Sequence, residues 1–215
     1  MGAIYQPIEP KRIIDNFQIE NFVETGTGEG HSLEYILDLG IDDLEIYTIE
    51  LMNVLYDRLR NRFGGIKNLH LIKGFSHIEI ANVIKQMSSK PALFWHDAHF
   101  PGADFQIDGA TYTSESDPTK RIPLEAELNA IIDSGRDISR DVIIIDDLRV
   151  YKDGPYTEGQ WPLRAQAGGD GIDFIYELFD ETHHIYELFI IQGFVVLMPK
   201  SYDGNVEEFI LGLGQ

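Results

Sequence analysis

Acidic residues close four of the apolar runs of this sequence. Glu24 follows Phe22-Val23, and Glu50 follows Ile46-Tyr47-Thr48-Ile49. Asp97 comes after Ala92-Leu93-Phe94-Trp95-His96, and Asp146-Asp147 come after Val142-Ile143-Ile144-Ile145. A carboxylate at a strand tip can take a sugar diol, a cation or a proton. The first of these acids opens a glycine-rich turn, Glu24-Thr25-Gly26-Thr27-Gly28-Glu29-Gly30, ahead of a helix start at His31-Ser32-Leu33. Gly26, Gly28 and Gly30 let the backbone approach a ligand where a Cβ would collide. The helix start aims unpaired N–H groups at whatever lies in the turn. Glu50 stands about 20 residues further on, where an acid can reach a ribose diol. Such a turn also serves plain packing; paired with Glu50 it points to a nucleoside-containing cofactor.

Asp97, Asp146 and Asp147 suit a different ligand. The chain has no cysteine, and oxygen donors alone select a hard divalent cation. Neighbouring strand residues point to opposite faces, yet Asp146 and Asp147 can converge where the chain leaves the strand. The competing reading makes them turn or cap residues. His99 is a candidate general base, because imidazole titrates near neutrality and responds to charged neighbours. His96 has the same chemistry, but strand alternation turns it away from Asp97. Ser76 and Glu79 have capping-box spacing, which explains Ser76 without a ligand. His183-His184 reads as a turn between helix and strand. Tyr151, Tyr156 and Trp161 are placed either to line a second pocket or to anchor a long loop.

Periodicity supplies the elements that must position these groups. Apolar runs at 21–24, 45–49, 69–72, 92–95 and 142–145 read as strands. The last is continuously β-branched, as in a strand buried on both faces. Helical patterns at 31–39, 51–63, 76–86 and 123–132 lie between them, and a short one at 10–17 precedes them. Residues 101–121 and 148–170 read as long loops. After a helix at 172–179, the runs 185–191 and 194–198 are split by Gln192-Gly193. That break reads as a two-residue hairpin and makes the last strand antiparallel. The alternation argues for a three-layer α/β fold, a mostly parallel sheet between helices. Ligands then bind beyond the carboxyl ends of the strands, where the acids lie. Nothing divides residues 1–215, so a single domain is expected.

Composition narrows the partners. The 215 residues carry 36 acids and 17 bases, a net charge of −19. That field repels polyanions, so nucleic acid is not an expected partner. No apolar run has the ~20 residues of a membrane helix, and the start lacks a basic-then-apolar signal. No membrane partner is expected, and the expected location is cytoplasmic.

The sequence resembles the class I, Rossmann-like S-adenosylmethionine-dependent methyltransferases. Glu24 to Gly30 is similar to that family's first motif, Glu50 to its ribose acid, and the reversed last strand to its seventh strand. The resemblance spans residues 13–199. Within the class it is most similar to metal-dependent small-molecule O-methyltransferases of the catechol and macrocin type. Their fourth strand ends in Asp and their fifth in Asp-Asn or Asp-Asp, matched here by Asp97, Asp146 and Asp147. The resemblance implies that these three hold Mg²⁺ and that Glu24, Gly26, Thr27, Gly28, Gly30 and Glu50 hold S-adenosyl-L-methionine. Gly74-Phe75-Ser76-His77 is similar to the family's adenine-side turn, which implies Ser76 and His77 beside the base. The family's lysine next to the metal aspartate is absent, and His96 and His99 flank Asp97 instead. The implied function is Mg-assisted methyl transfer to a hydroxyl of a small molecule, with Asp97 and His99 at the chemistry. Two other functions share the turn and its acid. An NAD-dependent oxidoreductase would lack the reversed last strand, and a non-catalytic nucleoside-binding protein would transfer nothing.

Overall fold

The computed structural model of the chain describes residue 4, residues 8–161 and residues 171–212. Residues 162–170 of the second long loop lie outside the described residues. Helix α1 (Pro10–Phe17) leads into β1 (Asn21–Thr25), and helices and strands then alternate. They are α2 (His31–Asp38), β2 (Glu45–Glu50), α3 (Asn53–Phe63), β3 (Leu69–Lys73), α4 (Ser76–Gln86) and β4 (Ala92–His96). The first long loop carries a 3-10 turn at Ile107–Gly109 and a short helix, α5 (Pro118–Arg121). Then come α6 (Leu124–Asp133), β5 (Val142–Ile145), α7 (Leu148–Tyr151), α8 (Asp173–Phe179), β6 (His183–Leu188), β7 (Phe194–Pro199) and α9 (Val206–Ile210).

The strands form one seven-stranded sheet in the order β3-β2-β1-β4-β5-β7-β6. β1 to β5 run parallel, and β7 is antiparallel to both its neighbours. This is the expected three-layer fold. Side-chain alternation shows why the sheet needs cover on both sides. In β5, Ile143 and Ile145 join one core with α4, α6 and α8, while Val142 and Ile144 join another with α1, α2, α3 and α9. Phe94 and Trp95 divide in the same way on β4, and both are fully buried. A strand that is apolar on both faces stays out of water only between two helical layers. Among the described residues no helix is long and apolar enough to cross a membrane.

Three local expectations fail, each for a visible reason. β6 ends at Leu188, so five residues, 189–193, join it to β7 rather than two. The carbonyls of Gln192 and Gly193 accept hydrogen bonds from the N–H groups of Arg149 and Leu148, which draws this segment out of the ladder. Ser76 is the first residue of α4, and Phe75 is its N-cap with no side-chain hydrogen bond. The capping box therefore does not form, and Glu79 packs under Gly74 instead. His183-His184 opens β6 rather than forming a turn. His183 is buried, with Nε2 3.0 Å from the Asp141 carbonyl and Nδ1 2.8 Å from Thr182 Oγ1.

The edge of the sheet opposite the acids is latched by an ion pair that no periodicity announces. Arg136 donates through Nε and Nη2 to the two oxygens of Asp141, at 2.8 and 2.9 Å. Its remaining donors reach the carbonyls of Ser88 and Lys90, and Asp141 also accepts the Ala92 N–H. The pair thus ties the starts of β4 and β5 to the chain entering β4. Both side chains are buried, and removing one partner strands the other's charge. Arg136→Ala is expected to cost about 3–5 kcal/mol of folding free energy, read by urea denaturation. A loss under 1 kcal/mol would show that the latch contributes little.

Candidate active site

Strand register builds the site. Thr25 pairs with Ile49 on one side and with His96 on the other, and His96 pairs with Ile145. The next residue along each strand is Gly26, Glu50, Asp97 or Asp146, so these four stand in one row at the carboxyl end of the sheet, with Glu50 still within β2 and paired with Lys73. Between β1 and β4 the strand order reverses, which opens a crevice in folds of this kind.

The glycine turn is shaped by packing as much as by access. Gly26 has φ +79°, and a Cβ on it would lie 2.6 Å from the Asp97 carbonyl oxygen. A Cβ on Gly30 would lie 2.6 Å from Leu59 Cδ2. Their bare faces turn toward the end of β4 and toward α3. Gly28 is the one whose bare face meets the far wall of the cleft, the ring of Phe105. Glu50 faces the turn and grips it: Oε2 accepts the Gly28 N–H at 2.9 Å and Oε1 the Met52 N–H at 2.6 Å. Burial still holds its carboxyl above the usual range, against the pull of these N–H groups.

Glu24 lies beneath, 1% exposed. Thr48 donates to its Oε2 at 2.5 Å, and Thr27 Oγ1 lies 2.5 Å from Thr48 Oγ1. Burial pushes the Glu24 carboxyl up to about 8, with Thr48 opposing and Glu50 adding to the rise. Ser76 and His77 line the cleft from the start of α4, together with Phe75. His77 Nδ1 is buried with no hydrogen-bond partner among the described residues.

The second half of the site gathers at the ends of β4 and β5. Asp147 has φ +53°, a left-handed turn that swings its side chain into the cleft. His99 joins it, with Nε2 3.0 Å from Asp147 Oδ2 and Nδ1 3.1 Å from the Asp97 carbonyl. Asp97, His99 and Asp147 each offer a ligand atom, and all three atoms lie within 4.8 Å of one another. Asp146 sits behind them, buried and outside the cleft lining. Its Oδ1 accepts the Asp147 N–H at 2.8 Å, and its Oδ2 has no hydrogen-bond partner among the described residues. Burial raises Asp146 to about 8, and Asp147 adds to it. Asp97 rises too, from burial and then from Asp146 and Asp147. Burial alone would lower His99; its contact with Asp147 and the surrounding acids raise it to about 9.

His96 points away from this group, into the α6 side. Its Nδ1 lies 2.6 Å from Glu127 Oε2, which also accepts from Thr25 Oγ1 at 3.1 Å. The buried set joins the last residues of β1 and β4 to α6.

One cleft of about 1310 Å³, open mouth included, unites the glycine turn, Glu50, Ser76 and His77 with Asp97, His99 and Asp147. The first long loop forms its far wall. Phe105 faces Gly28, Gly102 packs on Met52, and Lys120 lies 5.2 Å from the centre of the Phe75 ring. Phe100, Tyr112 and Trp161 pack in a triangle with centroids 4.9–5.3 Å apart, Tyr112 edge-on to the other two, joining the two long loops. Trp161 lines the cleft; Tyr151 and Tyr156 do not. Sequence reasoning missed Thr48, Phe105, Tyr112, Lys120 and Arg149 of this lining or its support, because each lies within a strand, a short helix or an irregular loop with no spacing signal.

Comparison with known proteins gives one kind of match. No protein-family model matches the chain, and no curated relative is found by sequence. Solved structures match over nearly the whole chain. The SAH-bound methyltransferase PaMTH1 of Podospora anserina superposes with a TM-score of 0.60 at 17% identity, covering 93% of this chain and 80% of its own. The O-methyltransferase TomG of Streptomyces achromogenes, in complex with SAM, gives 0.55 at 14% identity, covering 88% and 79%. The fold is that of the Rossmann-like methyltransferases. The methyltransferase fold accounts for the reversed β7 and for the crevice between β1 and β4.

The raised Glu24 generates a test on the protein without ligand. A carboxyl at about 8 in the fold and near 4.5 when unfolded keeps its proton longer in the folded chain. Stability is then lost as pH rises from 4.5 to 8. Glu24→Gln keeps an acceptor for Thr48 without the charge. The variant is expected to gain melting temperature over the parent as pH rises across that window. Parallel pH profiles for the two proteins would refute the assignment.

Proposed function

We propose that the chain transfers a methyl group from S-adenosylmethionine to a hydroxyl oxygen of a small molecule, assisted by a divalent cation. The observation that carries this reading is the single cleft in which a glycine turn, gripped by Glu50, adjoins a carboxylate–histidine–carboxylate group. The solved neighbours bound to SAH or SAM support it through a shared fold.

The residues present suit both ligands. Glu50 retains a free lone pair on each oxygen for a ribose diol, and its N–H contacts keep it aimed at the turn. Glu24, whose side-chain partner among the described residues is the Thr48 hydroxyl, fits the ammonium of a methionine moiety. Ser76 and His77 stand where an adenine would lie, beside Phe75. Asp97 and Asp147 lie mostly out of water with Asp146 buried behind them, and burial and neighbouring carboxylates raise Asp97 and Asp146. A hard dication suits such a set.

S-adenosylmethionine supplies an electrophilic methyl, and the cation supplies positive charge that favours the ionised acceptor oxygen. The chain's own residues do the rest. The turn and Glu50 fix the donor, and Phe105 and the aromatic triangle keep water from the gap. In-line displacement depends above all on alignment. In this reading His99 Nε2 would take the acceptor's proton once a bound cation offsets the acids that hold the imidazole protonated in the ligand-free protein. His99→Ala separates that role from a ligand role: turnover lost with metal affinity kept makes it the base, and loss of both makes it a ligand.

The NAD reading is weakened by the sheet order, with β7 reversed beside β5. A thermal-shift assay decides. S-adenosylhomocysteine at 100 times its Kd should add about 2.7 kcal/mol, and NAD should add nothing. Asp97→Asn should keep that shift while lowering Mg²⁺-dependent methyl transfer on the order of 100-fold, since charge stabilisation of this type is worth several kcal/mol. Turnover indifferent to chelator and to this substitution would reject the metal role.

A further inference from the structure

Arg149 is the feature of the cleft that methyl transfer alone does not use. It lies in α7, two residues beyond Asp147, and lines the cleft with Trp161 and Gln192. Its side chain is 18% exposed, so most of it has left water. Yet its guanidinium makes no hydrogen bond among the described residues. Nε stands 3.7 Å from Asp147 Oδ1, and Nη1 stands 3.6 Å from Glu158 Oε2. Both are beyond hydrogen-bond reach. Glu158 already accepts from Gln192 Nε2 at 3.0 Å, and its side chain is half exposed. A guanidinium carries five N–H donors in a rigid fork. The fork faces the open cleft with no acceptor in hydrogen-bond reach among the described residues, so its donors are available to a ligand.

The surroundings define what could. The fork matches a planar oxyanion, with two parallel N–H···O bonds. The backbone around it is fixed: Arg149 N–H donates to the Gln192 carbonyl and Leu148 N–H to the Gly193 carbonyl. The guanidinium sits beside Asp147, whose other oxygen is 3.0 Å from His99. An anion on the fork and a hydroxyl at His99 would therefore belong to one small molecule. The aromatic wall of Phe100, Tyr112 and Trp161 adjoins the same space. In a chain of net charge −19, an anionic substrate needs such a specific cation to enter.

We propose that Arg149 anchors a carboxylate of the acceptor, so that the enzyme selects hydroxy acids over neutral alcohols and phenols. This rests on the methyl-transfer reading for the hydroxyl's role, not for the anion's. The simpler alternative makes Arg149 only a counter-ion for Asp147. That role would affect charged and neutral acceptors alike.

The experiment measures binding, without turnover, by calorimetry on the full chain saturated with S-adenosylhomocysteine and Mg²⁺. The probes are 2-hydroxybenzoate and 3,4-dihydroxybenzoate, each against its amide. The parent protein should bind the acids at least tenfold more tightly than the amides, a difference that shrinks in high salt. In Arg149→Gln the acid-to-amide ratio should fall below about two, and Arg149→Lys, which keeps charge but not the fork, should lie between. No preference in the parent, or an unchanged ratio in Arg149→Gln, overturns the proposal. So does a parent that binds neither acids nor amides. S-adenosylhomocysteine affinity, titrated first in every variant, reports separately on the cofactor reading and on folding. If Arg149→Gln fails to bind it, the Lys variant and the parent's salt dependence decide.

Discussion

Packing carboxylates together away from water is unfavourable, and the site is organised around that constraint. Glu24, Asp97 and Asp146 are all held above their ordinary range, chiefly by burial. Two of them also repel one another across the ends of β4 and β5. Natural interiors rarely keep such charge without a partner. Elsewhere in this fold the rule is obeyed: Asp141 is buried with Arg136, and Glu127 with His96 and Thr25. The acids of the cleft break it together and in one place. Perturbed groups that cluster in a cleft mark function more often than groups that stray singly.

The sheet supplies the rigidity that makes this arrangement possible. The row of Gly26, Glu50, Asp97 and Asp146 follows from parallel register, and a slip of one residue would turn every tip to the other face. Register in turn is fixed by two-sided burial, since each strand must divide its side chains between two cores. The Thr25–Glu127–His96 set reinforces the last rung directly beneath the acids. Asp97 N–H donates to the Thr25 carbonyl, and Asp146 N–H to the His96 carbonyl. Side chains that repel are thus carried by backbone that is hydrogen-bonded across the sheet.

Much of the fold was legible because its signals are local. Continuous β-branched runs, helical periodicity and the position of the glycines gave the strands, the helices and the reversed final strand. Errors arose where a distant partner intervened. Residues 189–191 read as strand and Gln192-Gly193 as its hairpin until the N–H groups of Leu148 and Arg149 claim the carbonyls of Gln192 and Gly193. Ser76 has the spacing of a cap, but the helix begins one residue earlier than that role requires. In the site, residues at strand tips were readable from topology, since every tip shares one rim. Arg149, Phe105, Tyr112 and Lys120 were not. They reach the cleft from short helices and loops, whose side-chain directions follow no period. His99 was visible only as a type of residue; its place beside Asp147 depends on the left-handed turn there, which aspartate does not announce.

The reversed strand has a consequence beyond topology. Because β7 runs antiparallel to β5, the connection from β6 arrives at the same rim as the tips of the parallel strands. Its last residues, Gln192 and Gly193, present carbonyls to the first turn of α7. A Cβ on Gly193 would lie 2.9 Å from Leu148 Cβ, and the residue has φ +87°. Glycine is therefore required for the two segments to meet so closely. That contact fixes α7 immediately after the turn at Asp147, and with it the direction in which Arg149 leaves the backbone. In a sheet with a parallel final strand the incoming connection would lie at the opposite end, and nothing would brace this turn. The strand reversal and the placing of Arg149 at the β5 end of the cleft are, in this fold, one structural fact.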